Sequence, residues 1–292
     1  MPSIDLKIGH VKIKYTYTYE DFFKNRLFEY EDLSDDPIDY EVKIELLSPI
    51  KWVNHVYQKH IGCRHYLYED AIDRYTITKE PNSKVITQQV IFDKANHIVL
   101  IQLDPSHMTD LPTQEYVLSG VVFLDILMRY GYIALHASAI SYQDDALLFS
   151  GPSQTGKSTH ASYWQALFNK RVTFINDDKP LIYNENGQYV VIGSPFAGKD
   201  NRHQNIKKPL KSIIFLSQGK DNAIHEISEK EALLALLNNT YRPNDPALYD
   251  HLLKTIEDLM KVIPIYHLSA LKDISAAEAI HQLLYKEAHH ED

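Results

Sequence analysis

The stretch "VKIKYTYTY" alternates apolar and polar positions more cleanly than any other part of this 292-residue chain. Val11, Ile13, Tyr15, Tyr17 and Tyr19 share one parity, with Lys12, Lys14, Thr16 and Thr18 between them, the period-two spacing of a half-buried strand. Strand-like runs follow in "YEVKIELLS", "DRYTIT", "KVITQQVIFD" and "HIVLIQLD", separated by the turn-rich "SDDP", "EPNS" and "KAN". The spacing predicts a β-rich region paired antiparallel.

Near Asp104 the pattern changes. "DPSHMTDLPTQE" reads as a linker, and the period lengthens into a helix over 113–129 that ends near Gly131. Beyond it strands and helices alternate: "ALHASAISY" and "ALLFS", a helix in "KSTHASYWQALFN", a strand in "RVTFIND", and a hairpin from "PLIY" through "NENG" to "YVVIGS". "SIIFLSQG" is a short buried strand. Three later helices carry start signals, Ser228 with Glu231, Asp245 with Pro246, and Ser275 with Glu278. The expected organisation is a β-rich domain over 1–112, suited to recognising a substrate or partner, and an α/β catalytic domain over 113–292.

Composition narrows the class. A formal charge of −9 argues against a polyanionic partner such as nucleic acid, which needs clustered Lys and Arg. One cysteine, Cys63, forms no internal disulfide, and the first residues lack a signal-peptide pattern, so a cytoplasmic setting is expected. "YVLSGVVFLDILM" carries Asp125 and is shorter than a membrane span, so no membrane association is expected and it reads as a buried helix.

The chemistry concentrates in "LLFSGPSQTGKSTH". Gly151, Gly156, Lys157 and Ser158 fit the phosphate-binding pattern G-x-x-x-x-G-K-[ST], with a strand before the turn and a helix opening at its end. Backbone N–H groups of such a turn and helix N-terminus cradle anions, so Gly151, Ser153, Gln154, Thr155, Gly156, Lys157, Ser158 and Thr159 are the expected nucleotide contacts. Lys157 would reach the β and γ phosphates of ATP, and Ser158 would give Mg²⁺ an oxygen. "VTFINDDKP" supplies two carboxylates one helix later, Asp177 and Asp178. One suits metal binding and the other the acceptance of a hydroxyl proton, with Ser158 and Asp178 as the expected metal pair.

Three other clusters carry candidate chemistry. His136, on the strand entering the site, divides evenly between a phosphate contact and a structural histidine. "GSPFAGKDNRHQNIKK" gathers cations in an acidic chain, and Lys199 and Arg202 are candidates for clamping phosphate or substrate. "HIGCRH" mixes metal-ligand types in His60, Cys63 and His65, but its spacing fits no standard zinc arrangement and it reads as structural.

The order "LHASAI … LLFSGPSQTGKST … FINDDKPLI" resembles the catalytic domain of the HPr kinase/phosphorylase family and, more distantly, the nucleotide-binding core of ATP-dependent phosphoenolpyruvate carboxykinase. The resemblance covers roughly 132–216. It implies a P-loop kinase core, with Lys157 and Ser158 holding nucleotide phosphates and metal, Asp177 and Asp178 sharing metal binding and base catalysis, and His136 in the site. Gln154 stands where the family commonly has glycine, Thr159 where HPr kinases usually carry an acid, and "GSPFAGKDN" where they carry a glycine-rich signature for their protein substrate. The branch that includes lasso peptide serine kinases looks more similar. The expected activity is therefore an ATP- and Mg²⁺-dependent kinase acting on a hydroxyl, a serine of a peptide or small protein. A free amino acid or sugar as acceptor, and a nucleotide-binding switch without catalysis, are the alternatives. A homo-oligomer is compatible with each.

Overall fold

In the computed structural model, residues 2–20, 26–52, 59–196 and 202–285 are described. They form a mixed α/β structure with two sheets and, among the described residues, five α-helices. The chain divides into two units, Met1–Tyr130 with Asn244–Pro246, and Gly131–Pro243 with Ala247–Asp292.

The first unit is an eight-stranded sheet in the order β1-β2-β3-β8-β7-β6-β5-β4. Its strands are β1 (Ser3–Ile8), β2 (Val11–Thr16), β3 (Tyr40–Leu46), β4 (Lys59–Ile61), β5 (Arg64–Tyr68), β6 (Ile72–Thr78), β7 (Ile86–Asp93) and β8 (Ile98–Leu103). Val11, Ile13 and Tyr15 of β2 are fully enclosed as the alternation predicts, with Leu6 and Ile8 of β1 alongside, but Lys12 between them is buried as well. Pairing is not antiparallel throughout, because β3 runs parallel to both β2 and β8. The chain leaves β3, builds β4 to β7, and only then returns as β8, so β3 acquires neighbours far from it in sequence.

The helix α1 (Leu111–Arg129) starts two residues before the expected 113, where Asp110 accepts the Thr113 N–H at 3.3 Å. It clusters with the first unit, so the division falls one helix later than 112. By length and composition α1 is apolar enough to cross a membrane, more so than the shorter apolar run implied. Its Leu118, Val122, Phe123, Ile126 and Leu127 are buried in this unit, and the Tyr15 hydroxyl donates to the Ser119 carbonyl at 3.3 Å.

The second unit holds β9 (Ile133–Ala134), β10 (Ala137–Tyr142), β11 (Asp145–Ser150), α2 (Lys157–Phe168), β12 (Val172–Asp178), β13 (Leu181–Glu185), β14 (Gln188–Ile192) and β15 (Lys207–Gln218). β16 (Ala223–Glu226), α3 (Glu229–Asn239), α4 (Pro246–Met260), β17 (Ile265–Ala270) and α5 (Ser275–Tyr285) complete it. The sheet order is β12-β10-β11-β15-β14-β13-β9, with β17 also on β15 and β16 on β17. β15 is longer than "SIIFLSQG" suggested: its first residues pair with β14, and the rest lie parallel to β11 and β17.

The core between this sheet and α2 and α5 is aromatic and aliphatic. Trp164 of α2 and Ile280 of α5 are fully buried with Ile140, Tyr142, Leu147, Phe149, Val172, Phe174 and Ile214 from the strands. The Ser228 and Glu231 capping box forms as expected. The second expected box does not: α5 begins at Ser275 itself, whose N–H and hydroxyl both donate to Asp273.

Candidate active site

The turn over 151–156 joins β11 to α2 at the end where β11 and β15 lie parallel. Gly151 has φ of 140°, and a Cβ there would lie 2.8 Å from the Leu216 carbonyl oxygen of β15, so only glycine lets the turn leave the sheet at this point. Gln154 also takes a left-handed conformation, with φ of 67°, at a cost of about 1 kcal/mol for a side-chain-bearing residue. Its carbonyl is tied down by the Gln218 amide at 3.3 Å, which answers the departure from glycine. Gly156 caps α2 with no side-chain partner for the first-turn N–H groups, leaving them directed at the mouth of the turn.

Lys157 is 8% exposed and folds over the turn, its ammonium donating to the carbonyls of Gly151 at 2.9 Å and Pro152 at 3.0 Å. Burial, and then the charge of Lys179, lower its pKa. Ser158, one residue on, donates from Oγ to Asp177 Oδ1 at 2.9 Å, and the Ser138 hydroxyl of β10 donates to the same oxygen.

Ser158 bonds to Asp177 and not to Asp178, the carboxylate expected to share a metal with it, and the cause is a bulge. Phe174 pairs with Ile140 but Asn176 with Ala139, so β12 carries one extra residue, Ile175. Val172 and Phe174 belong to the core packed under α2. Simple alternation would continue that face through Asn176 to Asp178, whereas the extra residue hands it to Asp177, opposite Ser138.

Asp178 therefore meets a different set of groups. Its Oδ1 accepts from Lys179 Nζ at 2.7 Å and lies 3.7 Å from His136 Nε2. Burial, then the charges of Lys179 and Lys157, lower the His136 pKa against the opposing pull of Asp178, so the imidazole is neutral at neutral pH. The His136 backbone is pinned by its N–H to the Asn239 carbonyl at 2.6 Å and by the Ser150 hydroxyl on its carbonyl at 3.0 Å.

Arg202 has one guanidinium nitrogen 4.0 Å from Asp177 Oδ2, the group stacks over Phe174, and its carbonyl accepts the Asp177 N–H at 2.9 Å. Lys199 lies outside the described residues. His60 and His65 meet through their Nδ1 atoms at 2.7 Å across the β4 and β5 hairpin, and no group of three or more potential metal-binding His, Cys, Asp or Glu residues occurs among the described residues.

A cavity of about 250 Å³ opens beside the turn, lined by Thr155, Thr159, His160, Tyr163, Gln218 and Lys272 among others. His160 is buried against the Phe149 ring, and burial lowers its pKa to about 4, so it is a neutral aromatic wall. Sequence reasoning missed Ser138, Lys179 and this cavity. Ser138 was readable as a polar residue inside the apolar "LHASAI", and Lys179 as a cation directly after the double aspartate.

No protein-family model matches this chain, and no curated protein matches it. Among solved structures, the Hpr(Ser) kinase/phosphatase from Coxiella burnetii is similar over 51% of this chain and 92% of its own, at 12% identity and a TM-score of 0.28. That likeness is distant.

Proposed function

We propose that this protein is an ATP- and Mg²⁺-dependent kinase that transfers the γ-phosphoryl group to a hydroxyl, a serine of a peptide or small protein. The observation that carries the reading is the bond from Ser158 to Asp177 at 2.9 Å. It joins the first turn of a helix opening on a phosphate-binding pattern to a carboxylate from a neighbouring strand, with a second carboxylate one residue further. The hydroxyl of Ser158 and the carboxylate of Asp177 are hard oxygen donors suited to Mg²⁺, which takes few protein ligands and completes its shell from phosphates and water. When bound, Mg²⁺ neutralises charge on the phosphates.

The chain's own groups divide the remaining work. Turn N–H groups and Lys157 hold the phosphates. Asp178 accepts the proton of the attacking hydroxyl as its oxygen bonds to the γ phosphorus, and the bond to the bridging β,γ oxygen breaks to leave ADP. Neutral His136, 3.7 Å from Asp178, orients the carboxylate or the incoming hydroxyl. Arg202 braces Asp177. A cytoplasmic setting goes with this reading, since Cys63 is unpaired.

The test is γ-labelled ATP incubated with serine peptides, amino acids and sugars, with the labelled product identified by mass spectrometry. Asp178→Asn is expected to lose transfer by about a hundredfold or more while retaining ATP binding. Label on a metabolite would move the acceptor to the small-molecule class. Full transfer by Asp178→Asn would remove the base assignment, and ATP binding without label on any acceptor would favour a switch.

A further inference from the structure

Among the described residues Lys179 is the charged group nearest the proposed base, and the proposed chemistry gives it no task. Its position is built. The Lys179 N–H donates to Asn176 Oδ1 at 2.8 Å, and Asn176, fully buried, donates from Nδ2 to the Ser194 carbonyl at 3.0 Å. The turn leaving β12 is thereby fixed so that the Lys179 side chain, 27% exposed, folds back onto Asp178 at 2.7 Å. A base in that state is engaged, because its Oδ1 already accepts the ammonium's hydrogen bond where the acceptor's proton would have to arrive.

The charges around it do not balance. Lys157, Lys179 and Arg202 outnumber Asp177 and Asp178 by one among these five side chains. Among the described residues, Asp177 is occupied by Ser138 and Ser158, Asp178 by Lys179, and Lys157 by backbone carbonyls. Lys179 is also the charge that most disfavours protonation of both Lys157 and His136, so the three side chains lie within electrostatic reach of one another, and Asp178 meets both Lys179 and His136. An anion with several oxygens is what such a surplus favours.

With Asp178 as the base, the position of Lys179 indicates which phosphate it takes. Lys157 enters from the start of α2, where the pattern would have it reach the β phosphate, common to ATP and ADP, as well as the γ. Lys179 enters from the end of β12 beside Asp178, and a base must stand on the side of the attacking hydroxyl, in line with and opposite the leaving group. The cation bonded to that base therefore lies at the γ end.

We infer that Lys179 is a ligand of the γ-phosphate: its ammonium moves from Asp178 to the terminal phosphoryl oxygens when ATP binds, and the move frees Asp178 Oδ1 for the acceptor's proton. The inference rests on the proposed kinase reading and makes ATP itself the signal that activates the base. ADP, lacking the γ group, leaves Lys179 on Asp178.

The acceptor need not be known to test this. Calorimetric titration with Mg²⁺ and either β,γ-imido ATP or ADP compares wild type, Lys179→Ala, Lys179→Arg and Lys157→Ala, with a thermal melt of each variant. Lys179→Ala is expected to weaken binding of the triphosphate analogue about tenfold and that of ADP less than twofold, since one charge-assisted contact is lost. Lys179→Arg keeps most of the preference, and Lys157→Ala weakens both nucleotides. Equal affinity of Lys179→Ala and wild type for the triphosphate, or an equal loss for both nucleotides, overturns the inference while leaving the kinase reading intact. If wild type binds neither nucleotide, the reading itself fails and the inference with it. A Lys179→Ala variant that melts early is replaced by Lys179→Met, which keeps the aliphatic stem, and the same comparison applies.

Discussion

Both units bury charged side chains, but they close them differently. In the first unit Lys12, 2% exposed, meets Asp32 at 3.0 Å and the carbonyl and hydroxyl of Ser34, which use all three of its donors. Asp73 is likewise closed by Lys94 at 2.7 Å and Arg129 at 3.2 Å. In the second unit Lys157 has two backbone carbonyls, and the two aspartates are shared among hydroxyls and a second lysine. A buried charge with a full set of partners holds a fold, whereas one with partners that an incoming anion can replace is equipped to bind. Burial alone does not separate the two cases. The inventory of partners does.

Substitutions at the two buried lysines would sharpen that contrast most. Lys157→Ala is expected to reduce phosphoryl transfer by at least about a hundredfold with little change in melting temperature, because its partners are carbonyls that water can satisfy. Comparable transfer by variant and wild type would erase the distinction. Lys12→Ala is expected to do the reverse, destabilising the first unit by about 2–3 kcal/mol, since Asp32 keeps a partly buried charge without its cation. Denaturant melts would measure the loss, and nucleotide affinity should be unchanged.

Acid should act on the closed pair next. The Ser34 hydroxyl, and after it the Lys12 ammonium, hold the Asp32 carboxyl at about 2 rather than the usual 3.8. A folded-state pKa depressed in this way contributes stability that is present above the unfolded value and lost as pH falls from about 4 through about 2. The Lys12→Ala variant should lose less stability over that window than wild type, as followed by circular dichroism. A steeper loss in the variant would mean that Lys12 does not stabilise the ionised carboxylate.

The smallest effect is expected in the turn. Gln154→Gly relieves a left-handed conformation but loosens the unfolded chain, so stability should change by about 0.5 kcal/mol or less, with ATP binding retained. A large loss of binding would show that the glutamine side chain has a task beyond the backbone contact to Gln218.

Much of the fold was legible where the signal is local. The alternation in "VKIKYTYTY" marked β2, although the strand ends at Thr16 rather than Tyr19, and the Ser228 box marked α3. The parallel neighbours of β3 were not legible, because a strand's own sequence does not say which distant segment will lie beside it. The division near Tyr130 was missed for a related reason: α1 looks like the opening of the second unit by order along the chain, and its burial against the first decides otherwise.

For the site, the sequence by itself determined a turn with the phosphate-binding pattern between a strand and a helix, the two aspartates one helix later, and a histidine close before the entering strand, which the structure places in the bend between β9 and β10. Those are properties of residue type and short spacing. Which aspartate meets Ser158 was decided by tertiary structure, because a single extra residue in β12, defined only by its register against β10, reverses the face that each side chain occupies. The place of Lys179 was decided in the same way, through Asn176 and Ser194, 18 positions apart in sequence and joined by a 3.0 Å bond in the fold. Local pattern fixes what chemistry a segment can offer. Cross-strand register fixes which atoms are brought together to use it.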